Sequence, residues 1–321
     1  MTILVTGGTG FIGSHLANSL LSKKQKLRVL VRKTSNTNHL RNLNVEIVYG
    51  SLDNIDSLKK ATKGIKTVYH LAAMLGNPDI TYKQLYNTNV VGTENLIKAC
   101  VKNNVKRFVY ISSVAAMGPT KNMADETTKC NPKTDYDKSK YFAELAVKKS
   151  NLDWTIIRPT MVYGPGEIKN KARMFRLIQK KMFFIIGSGN NLMSLVYVDN
   201  LVKGIMLAGK SKNAIRQTYI LSDKRNYTMN EFVKTIAKHE NVKIPIHLPI
   251  WIAYIVAFFF RIFRIFGVPQ ILSKDRIKNM TMNRSFNISK AINELKYDPK
   301  IGLEEGVKRT VEWYKEKDIL K

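Results

Sequence analysis

Tyr136 and Lys140 stand four residues apart in the run Tyr136-Asp137-Lys138-Ser139-Lys140. On a helix, residues i and i+4 share one face, so the ammonium can lie near the phenol. A free tyrosine has a pKa of about 10 and handles protons poorly at neutral pH. A nearby cation favours phenolate and is expected to lower that value. The spacing is common by chance, and its weight depends on where the fold puts it. Ser113 is the third candidate, in Ile111-Ser112-Ser113-Val114 just after an apolar run. A hydroxyl there can donate to a substrate carbonyl while Tyr136 transfers the proton. For a lone serine, capping a turn is the plainer role. His15, His39, His70, His239 and His247 show no metal-ligand spacing, so no metal site is expected.

Thr6-Gly7-Gly8-Thr9-Gly10-Phe11-Ile12-Gly13 follows a strand and opens a helix. In that context glycines carry meaning. Gly7 permits the tight turn, Gly10 lets backbone approach a pyrophosphate, and Gly13 allows close packing of helix and sheet. Phosphates would sit on unpaired N–H groups at the positive end of the helix dipole. The 7-10-13 spacing differs from the familiar G-x-G-x-x-G. The second strand ends in Arg32 and Lys33, where an acid would grip a ribose 2′-hydroxyl. Arg32 can pair with a 2′-phosphate through its planar fork. NADP(H) is therefore the expected cofactor, with NAD as the alternative if Arg32 is only one more base in a basic chain.

These residues need a scaffold. Strands are expected at Thr2–Val5, Leu27–Val31, Val45–Tyr49, Thr67–His70, Arg107–Ile111 and Trp154–Arg158. Between them lie helical patterns at Ile12–Leu21, at Tyr82–Lys102 as one long helix, and at Asp135–Lys149. Strands separated by helical crossovers imply a parallel sheet covered on both faces, a doubly wound α/β fold. The loop after a strand's carboxyl end is where such a sheet holds ligands, and Ser113 lies in one. After Arg158, Pro and Gly punctuate shorter segments. Leu195–Val198 and Thr218–Leu221 read as late strands, the second returning to the main sheet. From about Asn226 the chain reads as mostly helical, with breaks at Pro245, Pro249 and Pro269. A dinucleotide-binding domain over 1–160, with 187–222 returning to it, and a smaller substrate domain over 161–186 and 223–321 are expected.

The 321 residues are 44% hydrophobic and 24% charged, which excludes a disordered chain, a collagen-like fibre and a polytopic membrane protein. Two cysteines, Cys100 and Cys130, exclude a disulfide scaffold and suit a reducing compartment. With no signal-peptide pattern read at the start, the cytoplasm is the expected location. The 53 Lys and Arg against 24 Asp and Glu leave +29, spread over the first 270 residues. A diffuse excess favours any polyanion, anionic lipid included. Nucleic acid is not an expected partner, because no reading element accompanies the charge. The densest basic stretch is Lys169, Lys171, Arg173, Arg176, Lys180 and Lys181, a solvated helix face in the plain reading.

Several motifs stand in one order: Thr6–Gly13, Tyr69-His70-Leu71-Ala72-Ala73, Asn87–Thr93, Ile111–Ser113, Tyr136–Lys140, Arg158-Pro159 through Gly166, and Val196–Asn200. As a set they resemble the extended short-chain dehydrogenase/reductases of the NAD-dependent epimerase/dehydratase type, over nearly the whole chain. The resemblance implies a Rossmann-type sheet with a mostly helical C-terminal substrate domain. It implies Tyr136 as general acid/base, Lys140 lowering its pKa and holding the nicotinamide ribose, and Ser113 orienting substrate. It also implies backbone contacts from His70, Leu71, Ala72 and Ala73, a steadying role for Asn89, and Pro159 closing the nicotinamide pocket. Where relatives often carry Gly-Asp-Leu beside the adenine, this chain has Gly50-Ser51-Leu52, leaving Leu52 to pack on the ring. Nucleotide-sugar enzymes usually have an arginine near position 193. Met193 cannot hold a diphosphate, which weighs against a nucleotide-sugar substrate.

The run Ile250-Trp251-Ile252-Ala253-Tyr254-Ile255-Val256-Ala257-Phe258-Phe259-Phe260 is wholly apolar and leads into Arg261 and Arg264. It is short for a span. Two roles for 250–266 stay open: a helix on the inner face of a membrane with both arginines snorkelling, or a pocket lid or homodimer contact. A reductase or dehydrogenase acting on a small hydrophobic hydroxyl or carbonyl compound is the leading functional reading. A nucleotide-sugar epimerase or dehydratase is the alternative, and a non-catalytic nucleotide-binding sensor the third.

Overall fold

The computed structural model describes residues 2–320 except 42, 78, 121–122, 169 and 264–271. The end of the apolar segment with Arg264, Pro269, and Lys169 of the basic stretch therefore lie outside the described residues. The first half runs β1 (Thr2–Thr6), α1 (Phe11–Ser22), β2 (Lys26–Val31), α2 (Asn38–Arg41), β3 (Val45–Tyr49), α3 (Ile55–Thr62) and β4 (Ile65–His70). It continues with α4 (Tyr82–Tyr86), a π-turn (Asn87–Val91), α5 (Gly92–Lys102), β5 (Arg107–Ile111), α6 (Asp135–Lys148) and β6 (Asp153–Pro159). The expected long helix over 82–102 is thus broken by a π-turn centred on Asn89, and α3 is an element the sequence pattern did not show.

The second half comprises β7 (Met161–Tyr163), α7 (Asn170–Gln179), β8 (Ile185–Ile186), β9 (Leu192–Met193), β10 (Leu195–Tyr197), α8 (Val198–Lys210) and β11 (Gln217–Leu221). Then follow β12 (Tyr227–Thr228), α9 (Met229–His239), β13 (His247–Leu248), α10 (Ile250–Phe263), α11 (Lys274–Thr281), α12 (Ser289–Leu295) and α13 (Leu303–Glu316).

Seven parallel strands form one sheet in the order β11-β6-β5-β4-β1-β2-β3. The chain winds outward from β1 to β3, then crosses to β4 and winds the other way. The crevice at the carboxyl ends of β1 and β4 is the switch point where such sheets take ligands. Side chains alternate across the sheet. Ile3 and Val5 pack with Leu16 and Leu20 of α1 and Leu201 and Ile205 of α8. Leu4 faces the other way, with Leu58 of α3, Leu96 of α5 and Val147 of α6. β10 does not join this sheet but pairs with β7. Those two strands lie over a separate core with α7, α9 and α13.

Candidate active site

The glycine turn is dictated by close approach. Gly7 has φ +73, and a Cβ there would lie 2.7 Å from the Ala72 nitrogen and 2.8 Å from the Leu71 carbonyl carbon. A Cβ on Gly13 would lie 2.1 Å from the Gly7 oxygen. Gly10 caps α1 without any side-chain hydrogen bond, and no acidic residue stands in the first turn. The helix therefore presents its first N–H groups and its positive dipole end without a built-in anion. That cradle fits a dinucleotide pyrophosphate, with Phe11 and Ile12 forming the first helical residues beside it.

A hydrogen-bond relay ties the turn to β4 and α5. Thr93 donates to the Asn89 carbonyl at 2.6 Å, so its oxygen accepts from His70 Nε2 at 3.0 Å. His70 Nδ1 then accepts from the Thr6 hydroxyl at 2.7 Å, and Thr6 accepts from the Ala72 N–H at 3.2 Å. The donor order requires a neutral imidazole. Burial, with Lys140 nearby, lowers the His70 pKa to about 3. His70 thus holds Leu71 and Ala72 against the glycine turn, and Ala73 next to them is exposed.

The π-turn aims Asn89 at the other side of the cleft. Its oxygen accepts from the Met74 N–H at 2.7 Å, and its amide donates to the Met74 carbonyl at 3.0 Å and to Ser139 at 2.9 Å. Ser139 in turn donates to the Tyr136 carbonyl at 2.8 Å. A Cβ on Gly76 would lie 3.1 Å from Tyr136 Cβ. The loop after β4 therefore touches the glycine turn at one end and Tyr136 at the other.

Thr134 and Asp137 form a reciprocal capping box that starts α6, making Tyr136 its second residue. Ser113 caps a short 3₁₀ turn, accepting from the Ala115 N–H at 3.1 Å, and its hydroxyl lies close enough to the Tyr136 phenol to favour the phenolate. The capping role and a catalytic one coexist.

The expected lowering of the Tyr136 pKa by Lys140 is not found. Burial pushes the phenol up to about 12, the Asp137 carboxylate adds to this, and the nearby Ser113 hydroxyl opposes it. Lys140 turns toward β5: its Nζ donates to the Ile111 carbonyl at 2.9 Å and lies 4.5 Å from the Tyr110 ring centre. Burial lowers the Lys140 pKa to about 7, with Glu144 pulling the other way.

Glu144 is a residue the sequence reading missed. Tyr136, Lys140 and Glu144 stand at i, i+4 and i+8, on one face of α6. Glu144 accepts a two-pronged contact from Arg158, at 2.9 Å from Nε and 2.7 Å from Nη2, and a third bond from Ser112 at 2.6 Å. This buried pair joins α6 to the ends of β5 and β6, next to Ser113 and to buried Pro159. The i+4 spacing was the available signal.

Other candidates sit as follows. Arg32 is exposed just past β2, and no described carboxylate pairs with it. Leu52 packs against Gly92, whose Cβ would lie 2.7 Å from the leucine Cβ. Met193 is buried and bridged in register with Arg284. A cation therefore stands beside Met193 in space, although it is distant in sequence, and the argument against a diphosphate substrate loses force.

The doubly wound sheet, glycine cradle and Ser–Tyr–Lys grouping define a dinucleotide-dependent oxidoreductase fold. Residues 3–221 match the model of the NAD dependent epimerase/dehydratase family, and the chain belongs to that family. Its members include NAD-dependent dehydrogenases and epimerases, and this chain is such an enzyme. It is 30% identical to the Arabidopsis thaliana 3beta-hydroxysteroid-dehydrogenase/decarboxylase isoform 1, over 96% of this chain and 78% of that protein. It is 29% identical to the Escherichia coli O157:H7 N-acetyl-alpha-D-glucosaminyl-diphospho-ditrans,octacis-undecaprenol 4-epimerase, over 97% and 94%. The Bacillus cereus UDP-glucuronic acid 4-epimerase, solved in complex with NAD, has the same fold. Its TM-score is 0.80 at 23% identity, covering 98% of this chain and 97% of that one.

Proposed function

We propose that this enzyme moves hydride between NADP(H) and a hydroxyl or carbonyl group of a hydrophobic substrate, with Tyr136 as the general acid/base. The observation that carries this reading is the half-buried Tyr136, with the Ser113 hydroxyl close enough to favour its phenolate and its side chain packed on the loop that touches the glycine turn. A bound nicotinamide supplies or accepts the hydride. Gly7, Gly10 and Gly13 with Phe11 and Ile12 hold the pyrophosphate, Arg32 a 2′-phosphate, and Leu52 the adenine. Leu71, Ala72, Ala73 and Pro159 line the cleft toward the nicotinamide. In the reductive direction the carbonyl oxygen accepts from Ser113 and from Tyr136, and the phenol proton passes to that oxygen. A phenol near pKa 12 is fully protonated at neutral pH and ready to donate. Lys140, one turn along the same helix, holds the nicotinamide ribose.

Purified enzyme offered hydrophobic ketones with NADPH should show net loss of nicotinamide absorbance. A tightly held dinucleotide with no net turnover would instead favour an epimerase. That second reading has its own support in Arg284 beside Met193, and in the diphosphate-linked substrate named for the E. coli relative.

Cofactor choice is separable. Arg32→Ala is expected to weaken NADPH binding about ten-fold or more relative to NADH, the worth of one hydrogen bond to a charged group. Fluorescence titration with both cofactors measures it, and equal losses would count against contact with the 2′-phosphate.

A further inference from the structure

The outer face of α10 breaks the rule for a surface helix. Ala253 and Ala257, one turn apart, face inward onto Ile186 and Ile277. Ile250, Trp251, Tyr254, Ile255, Phe258 and Phe259 face outward, between 39% and 65% exposed. Helices on a water-facing surface carry polar residues there; from Ile250 to Phe260 this one has none. A second segment extends the face. β13 pairs with β8, and the Ile185 N–H donates to the Ile246 carbonyl at 3.0 Å. That pairing brings Met182 and Phe184 beside Ile244 and Ile246, all exposed. Gly187 joins the two parts, since a Cβ there would lie 3.0 Å from the Ile250 side chain. A contiguous apolar surface of this kind marks an interaction site.

Its surroundings are cationic. Lys180, Lys181, Lys243, Lys274 and Lys278 are exposed around the apolar face. Two copies meeting face to face would bring like charges together. An anionic lipid surface meets both features at once. The 14 residues of α10 are about 21 Å long, short of the roughly 30 Å of a bilayer core. Among the described residues, no helix is long and apolar enough to cross a membrane. We infer that the α10 face, with the segments entering β8 and β13, docks in the plane of an anionic bilayer. Trp251 and Tyr254 sit at headgroup level, and the lysines meet the lipid charge. The inference does not depend on the reaction at Tyr136.

Co-sedimentation of the full chain with vesicles of phosphatidylglycerol and phosphatidylcholine tests it, against phosphatidylcholine alone. Binding is expected with the anionic vesicles, falling with added salt, together with a blue shift of tryptophan emission that Trp251→Phe abolishes. The Lys180→Ala/Lys181→Ala variant should lower the partition coefficient about 25-fold, five-fold per cation. Phe258→Ser/Phe259→Ser should remove binding. Three results would overturn the inference: no vesicle binding, equal binding with and without anionic lipid, or wild-type partitioning of the lysine variant. A salt-resistant dimer that hides Trp251 from a quencher without lipid would also overturn it, by assigning the face to a second copy.

Discussion

Tyr136→Phe is expected to lower kcat by about 10²–10⁴-fold, the usual worth of a positioned general acid, while leaving cofactor affinity nearly intact. The reasoning rests on what the substitution removes. The ring stays, so the packing on Gly76 is kept. Tyr136 contributes its carbonyl, not its phenol, to the Ser139 bond, so the Asn89 clamp on the loop is kept as well. The one loss is the hydroxyl, with its proton and the influence of nearby Ser113 on it. Steady-state rates with a hydrophobic ketone, together with dinucleotide titration by fluorescence, separate the two quantities. Normal turnover in the variant would remove Tyr136 from the mechanism. A matching fall in cofactor affinity would mean that the ring's position, not its proton, had been disturbed.

The sheet was legible because central parallel strands are buried on both faces and read as largely apolar runs. β5, Arg107–Ile111, is buried at every position, and its run is visible in the sequence. α3 buries Leu58, Ala61 and Thr62, the i, i+3, i+4 spacing of one helix face, but over eight residues that signal is short and one of its three members is polar. The two-residue strands β8, β9, β12 and β13 exist only as partners of one another or of distant segments, and two residues cannot display alternation. The π-turn at Asn87–Val91 has no periodic signature either. It is fixed by Asn89 reaching Met74 and Ser139 at once.

The site divides in the same way. Glycine positions were readable because the constraint is local: backbone passes where a Cβ would stand. Tyr136, Lys140 and Ser113 were readable from spacing and from their place after a strand. Their electrostatics were not. Spacing puts a cation one turn from the phenol, but burial decides both pKa values. The Ile111 carbonyl that receives Lys140 comes from a neighbouring strand. His70 stands in a motif legible in the sequence, but only the neighbouring Thr6 and Thr93 reveal its ring as a neutral link. Met193 weighs against a diphosphate, yet a bridge from about ninety residues away sets Arg284 beside it.

The Glu144–Arg158 pair yields the largest expected effect on stability. Both side chains are nearly inaccessible, 1% and 3% exposed, and Glu144 also accepts from Ser112. Glu144→Ala leaves a buried guanidinium without its carboxylate, a loss of about 3–5 kcal/mol in unfolding free energy, read from urea titration. The size comes from the orphaned charge more than from the pair itself. Glu144→Leu/Arg158→Met should therefore recover most of the loss, because an apolar replacement of both partners removes the desolvation penalty. A single-variant loss below about 1 kcal/mol, the range of exposed pairs, would contradict a dry environment for these groups. Activity in the double variant then measures something stability does not. The pair joins α6, which carries Tyr136 and Lys140, to the strand ends that carry Ser113 and Pro159. A stable double variant with unchanged KM and reduced kcat is the expected signature of a brace that holds the phenol and the serine in register.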